Sequence, residues 1–450
     1  MARGLAALGA GSMLLFTALS AMADDIAGTE IPVSGDAALA QEDRIAELER
    51  TVRVLADELE RTRADLTVPE EPELISQYGF GPAASKVYGS ARGISMGGYA
   101  EGFYRKLIDS NGESDRADFL RAVIYMGYKF TDRIIFNSEF ELEHATTGST
   151  DSSSGGSMSV EFATLDFLWK DWINFRAGLV LVPMGIVNEL HEPTTFLAVN
   201  RSEVERQIIP STWRENGAGI FGSLGETLEY KAYVVNGLNA QGFSPSGLRG
   251  GRQKGNRALA EHLAFVGRLD WYPSPGLWLG GSVYHGKSGQ NQDVAGTRIP
   301  DVDTTIWELH SQFERAGWWL RALFTMAHLA DTSQLTEALG PGGTGDIGTG
   351  AAIGGEMLGT YGEIGYDIMN LLFPESEKSL MPFFRFEYYD TQRDLPSGFD
   401  TDKSKQVKIY TAGLQFKPIS QVVVKIDYRN RQTENGGLSD ELNMGIGLAF

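Results

Sequence analysis

Cysteine is absent from the 450 residues, which removes disulfides, thiolate nucleophiles and cysteine-ligated metals from consideration. Outside residues 5–23 no apolar run approaches the roughly 18 residues that a membrane helix needs, so any crossing of a bilayer has to be made by strands. Bases are also short. With 39 Lys and Arg against 59 Asp and Glu the net charge is −20, which argues against nucleic acid as a partner, because phosphate binding needs a basic face.

Histidine is scarce, with six in the chain. His191-Glu192 has no second histidine four residues on, so there is no zinc-protease motif. His310 and Glu308 lie two residues apart on one strand face and read as pore-lining polar groups, not as a general-base pair. Gly217 to Gly222 matches G-x-G-x-x-G but continues into a strand, which offers no helix N-terminus to a pyrophosphate. The glycines between Gly340 and Gly355 lack the Lys-Ser/Thr of a phosphate loop. No catalytic residue, metal or cofactor is expected.

At the N-terminus, Arg3, the apolar Leu5 to Leu19 stretch and Ala21-Met22-Ala23 predict a secretory signal over residues 1–23. An acidic leader, 24–38, follows. Residues 24–78 hold fifteen acids against five arginines, so half of the net charge is local to this region. Over residues 39–68, Ile45, Leu48, Val52, Leu55, Leu59, Thr62 and Leu66 recur at alternating steps of three and four, closed by Pro69 and Pro72. That seam predicts a short periplasmic coiled coil, with one amphipathic helix packed on its own barrel as the alternative. Residues 69–92 read as a linker.

From Gly93 to Phe450 the period changes to 2. Leu120, Ala122, Ile124, Met126, Tyr128 and Phe130 alternate with Arg121 and Lys129, and Val422, Val424, Ile426 and Tyr428 alternate with Lys425, Asp427 and Arg429. Leu442, Met444, Ile446, Leu448 and Phe450 fall on one face of a last strand, as on a lipid-facing closing strand. Short connections such as Thr131-Asp132-Arg133 and Arg315-Ala316-Gly317 alternate with long polar loops such as Asn239 to Ala258 and Asp331 to Ile353. The pattern predicts an all-β fold: a sixteen-stranded antiparallel transmembrane β-barrel, turns in the periplasm, in the bacterial outer membrane among lipid and lipopolysaccharide.

The longest interruption, Pro183 to about Asn216, carries Arg201, Arg206 and Arg214 beside Glu189, Glu192, Glu203 and Glu205. It is expected to fold inward and narrow the pore, or else to pack on a neighbouring subunit. Arginines at a constriction would concentrate anions. A second basic set, Arg249, Arg252, Lys254 and Arg257, has no acid until Glu261 and reads as a funnel at the mouth or as an ordinary solvated face. On the wall, Arg121 and Arg176 are further lumen-facing candidates, but acids match the wall bases closely and charge counting leaves selectivity open.

The segments Gly97-Gly98-Tyr99-Ala100-Glu101-Gly102-Phe103-Tyr104, Phe175-Arg176-Ala177-Gly178 with Pro183-Met184-Gly185, and Arg201-Ser202-Glu203 to Gly217 together resemble the phosphate-selective porins O and P over roughly residues 90–450. The resemblance implies a homotrimeric channel that passes small hydrophilic solutes or anions such as phosphate. It also implies that Arg201, Arg206 and Arg214 of the inward segment, with wall arginines, handle the anion. A general, sugar- or peptide-admitting porin and a structural or adhesive barrel are the alternatives.

Overall fold

A computed structural model describes residues 44, 46–58, 74–108, 114–149, 155–294, 296–340 and 352–450. The predicted signal and acidic leader lie outside these residues. The chain forms two compact units, residues 1–71 and 72–450. In the first, residues 46–58 are helical, with Leu48, Val52 and Leu55 exposed on the heptad seam. Ile45, Leu59, Thr62 and Leu66 of that seam are outside the described residues.

In the second unit sixteen antiparallel strands close into a barrel. They are β1 Gly93–Ile108, β2 Arg116–Thr131, β3 Ile134–Glu143, β4 Met158–Lys170, β5 Ile173–Leu181, β6 Arg214–Leu224, β7 Leu228–Asn236 and β8 Leu263–Ser274. The second half comprises β9 Leu277–Lys287, β10 Asp303–Arg315, β11 Trp318–Leu329, β12 Glu356–Tyr366, β13 Ser379–Asp394, β14 Gln406–Ile419, β15 Val422–Thr433 and β16 Asp440–Ala449. Each strand pairs with its sequence neighbour. Closure comes from β1 on β16, in register from Tyr99 opposite Ala449 to Ile108 opposite Asp440. Gly98 and Phe450 exchange two backbone hydrogen bonds of 2.9 Å, so the terminal residue completes the seam and no edge is left open.

Alternation decides which side chains meet lipid. Phe119, Ile124, Leu309 and Ile446 are 50–61% exposed on the outer face. Among the described residues no helix is long and apolar enough to cross a membrane. Trp169, Trp172, Trp271 and Trp318 are exposed beside the short turns, where amphipathic rings favour a membrane–water boundary.

The inner face departs from a simple polar lining. Val123, Tyr125, Ile135, Phe162, Tyr233, Val266 and Tyr284 point inward and are almost fully buried. They are covered by two inserted segments, residues 74–92 and 182–213. The first, expected as a linker, carries the short helix Lys86–Gly89 and lies within the barrel. The expected Asp331 to Ile353 loop also contains a helix, Thr332–Leu339, whose Leu335 and Leu339 join the interior apolar cluster.

Candidate functional site

β5 ends early, at Leu181, and β6 starts at Arg214, so the inserted loop is residues 182–213 and Arg214 to Asn216 belong to the wall. Apolar residues draw the loop inward. Val182, Met184, Ile186, Val204, Ile208, Ile209 and Trp213 are fully buried in the interior cluster, each such side chain contributing roughly 1.5–3 kcal/mol. Such a loop buries backbone polar groups, and the barrel wall satisfies them. Lys425 donates to the carbonyls of Phe196 (2.7 Å) and Ala198 (3.0 Å), Lys417 to that of Thr194 (2.8 Å) and Arg321 to that of Thr195 (3.0 Å). Arg385 donates to Asn200 O at 3.0 Å, and Arg268 to Gly185 O. Carboxylates serve the amides: Asp427 accepts from Val199 N (2.6 Å), and Glu387 from Glu203 N and Ser202 Oγ (2.7 Å each).

These bonds explain why the charges of the inner wall are nearly balanced. Cations there hold carbonyls of the loop and anions hold its amides, so much of the charge is structural and does not face a solute. Because the partners sit on strands from β8 round to β15, the loop is fixed across the barrel.

The segment from residue 74 to 92 fills the short-turn end of the barrel, between the start of β1 and the wall of β2 to β5. Arg176 donates to Tyr78 O (2.9 Å), Asn137 to Ala84 O (2.8 Å) and Lys129 to Tyr88 O (3.0 Å), while Tyr88 donates its hydroxyl to Asp166 (2.6 Å). Glu192 of the inserted loop accepts from Ala83 N at 2.9 Å and from Ala84 N at 3.1 Å. The two insertions therefore brace each other. Gly81 permits this approach: a Cβ there would lie 2.4 Å from Glu192 Oε1.

At the end of the barrel that carries the long loops, Arg249 and Arg252 both donate to Ser211 O, at 2.5 and 2.9 Å. Arg252 also donates to Thr212 O at 2.8 Å. Arg214, from β6, reaches the same Thr212 carbonyl at 3.5 Å and pairs with Glu161. A cavity of about 590 Å³ opens here, with Arg249, Arg252 and Lys254 in its lining. Burial first, and then the charges of Arg252, Arg206 and Arg201, push the Arg249 guanidinium downward. Burial, followed by Arg252, Arg214 and Arg249, does the same to Lys254. Among the described residues Arg249, Arg252 and Lys254 have no carboxylate within ion-pair distance. Cations of two loops and one strand thus act on one another around a single vestibule.

No family model matches the sequence. An uncharacterized protein of Aquifex aeolicus (strain VF5) is 39% identical over 362 residues, which cover 79% of this chain and 80% of that protein. The two chains belong to one family. Among solved structures, Salmonella typhi OmpF, in its complex with daunomycin, matches with a TM-score of 0.52 at 14% identity, over 79% of this chain and 97% of OmpF. The outer membrane channel DcaP of Acinetobacter baumannii matches with 0.47 at 13% identity, over 79% of this chain and 97% of DcaP. The OmpF likeness establishes a porin-type barrel fold. With its closed wall and outward apolar belt, this member of the family resides in the bacterial outer membrane.

In this family member the expected site residues divide into two groups. Arg121 is held by Glu101 (2.9 Å) and Glu141 (3.0 Å), and Arg176 by Asp166 (2.7 Å) beneath the Phe80 ring, so both brace the wall and the N-terminal segment. Arg201 donates to His191 O at 2.8 Å and lies 3.7 Å from Glu101. Arg206 is exposed, 3.2 Å from Glu203, and Arg257 is exposed in its loop. Arg214 of the expected constriction set and Arg249 and Arg252 of the mouth set, separated by more than thirty residues in sequence, meet at Ser211 and Thr212. Sequence reasoning did not single out the carbonyl-binding Lys417, or Gln207 and Asn256 in the cavity.

Proposed function

We propose that the protein is a passive channel for small hydrophilic solutes with a preference for anions such as phosphate, working as a trimer and without covalent chemistry. The observation that carries this reading is the vestibule in which Arg249, Arg252 and Lys254, unpaired with any acid among the described residues, stand near Arg206 and Arg214. Cations in a partly dehydrated passage raise the local anion concentration. The exposed Leu48, Val52 and Leu55 support self-association of the N-terminal helices as a periplasmic coiled coil.

Planar-bilayer reversal potentials under a salt gradient test the proposal, with phosphate titrated against chloride current. Anion selectivity with saturable block is expected, whereas ohmic, unselective current would indicate a general porin. The double variant R249Q/R252Q should lose severalfold in anion-to-cation permeability ratio while keeping the heat-resistant folded band of the barrel on gels. An unchanged ratio would remove the vestibule from selectivity.

A pH series tests the vestibule cations together. Burial lowers Lys254 and pushes Arg249 down to about 9 and Arg252 to about 10, so all three lose charge below their ordinary values. Anion selectivity should therefore fall as pH rises through the alkaline range. In R249Q/R252Q/K254Q the fall should be absent; its persistence there would assign it to another group.

The occupied interior favours a second reading, a structural barrel of very low conductance. It takes precedence if the folded protein carries no current in the bilayer.

A further inference from the structure

The vestibule cavity is lined by two chemically different sets of side chains. In the first, Arg249 spends Nη1 and Nη2 on Ser211 O and Thr212 Oγ1, and Arg252 spends Nε and Nη1 on Arg249 O and the Ser211–Thr212 carbonyls. Arg249 Nε and Arg252 Nη2 make no hydrogen bond among the described residues, and Lys254 is exposed. In the second, the neutral side, the side-chain amides of Gln207 and Asn256 make no hydrogen bond among the described residues, and Ser244 Oγ accepts only a 3.3 Å contact from Ser246 N. The loop that carries Ser244 is held in place: Thr391 donates to Pro245 O at 2.7 Å, and Gly247, at φ +122°, sits where a Cβ would be 2.7 Å from Gln207 O.

Size bears on the ligand. At roughly 30 Å³ per water, a cavity of about 590 Å³ holds on the order of twenty waters, within the range of small-molecule sites. An inorganic oxyanion would occupy a small part of it and leave the amide side unused. A neutral sugar would engage the amides and leave the cations uncompensated. Only a ligand with an anionic end and a hydroxyl-bearing body satisfies both sides.

We propose that this cavity binds a carboxylate-bearing polyol, the chemical class of the sugar acids, with its carboxylate toward Arg249, Arg252 and Lys254 and its hydroxyls toward Gln207, Ser244 and Asn256. The proposal rests on the anion-channel reading and specifies its substrate class. Neutral donors and acceptors discriminate hydroxyl number and spacing, which a point charge does not.

Titration calorimetry on the full-length protein in detergent, with glucuronate, inorganic phosphate and glucose as probes, tests it. Glucuronate should bind saturably and more tightly than phosphate, and glucose should not bind measurably. Removing the neutral side, in Q207A/N256A, should weaken glucuronate by about fivefold and leave phosphate unchanged. Removing the cations, in R249Q/R252Q, should abolish binding of both anions, with folding verified by heat-modifiable migration. Phosphate binding as tight as glucuronate, or equal weakening of both in Q207A/N256A, would overturn the sugar-acid assignment and leave the anion reading intact. Binding of neither anion would overturn both, and tight glucose binding would replace the acid with a neutral sugar.

Discussion

Deleting residues 74–88 is expected to raise single-channel conductance severalfold and to leave the sixteen-stranded wall folded. This segment fills the short-turn end of the barrel through Phe80, Ala83, Ala84, Val87 and Tyr88, all at most 9% exposed. None of its residues belongs to a wall strand, and it enters the barrel before β1 begins at Gly93. Its removal exposes Val123, Tyr125 and Phe162 to water and frees Glu192, so some stability is lost along with the obstruction. A second variant works without deletion. Ala84 is buried in the apolar cluster, so A84E places an unpaired carboxylate in that cluster and should expel the segment. Conductance is read in planar bilayers and folding by heat-modifiable migration. If both variants fold and conduct as the parent does, the segment does not limit the pore.

Much of the barrel was legible because lipid and interior impose opposite demands on alternate residues. In β2, Ile124 and Met126 had to face outward, and a one-residue slip would have placed Arg121 and Lys129 in hydrocarbon. The interior filling also left a signal, since Val123 and Tyr125 make the same strand apolar on its inner face, which a water-lined pore has no reason to be. That signal becomes interpretable only when something is known to cover the inner face. The inward course of residues 182–213 followed from their length and mixed polarity. The meeting of Arg214 with Arg249 and Arg252 did not, because it depends on how two loops pack around the carbonyls of Ser211 and Thr212. Charge counting failed for a related reason. Lys425 and Arg385 look like pore-lining cations in sequence, but their hydrogen bonds go to backbone carbonyls of the loop.

Arg385 is where this bracing is most concentrated, and R385A should destabilise the barrel by about 3–5 kcal/mol, the usual result of stripping one partner from a buried charge network. The side chain is 2% exposed, lies 3.0 Å from Glu387 and 3.5 Å from Glu363, and donates to Asn200 O at 3.0 Å. Its loss leaves the buried carboxylates of Glu363 and Glu387 without their guanidinium partner and one loop carbonyl unpaired. Glu387 also holds Ser202 and the amides that start the helix Glu203–Gln207, so the disturbance reaches the loop directly. R385K keeps a charge but not the fork that reaches Glu387, Glu363 and Asn200 together, and it should fall between parent and R385A. The midpoint of heat-induced band shift measures stability, and current noise in bilayers reports loop release. A charge-neutral replacement of the whole cluster, R385M/E363Q/E387Q, should recover part of the lost stability, because the cost in R385A lies in the uncompensated carboxylates more than in the missing guanidinium. Equal destabilisation of R385A and the triple variant would instead place the energy in packing of the arginine stem.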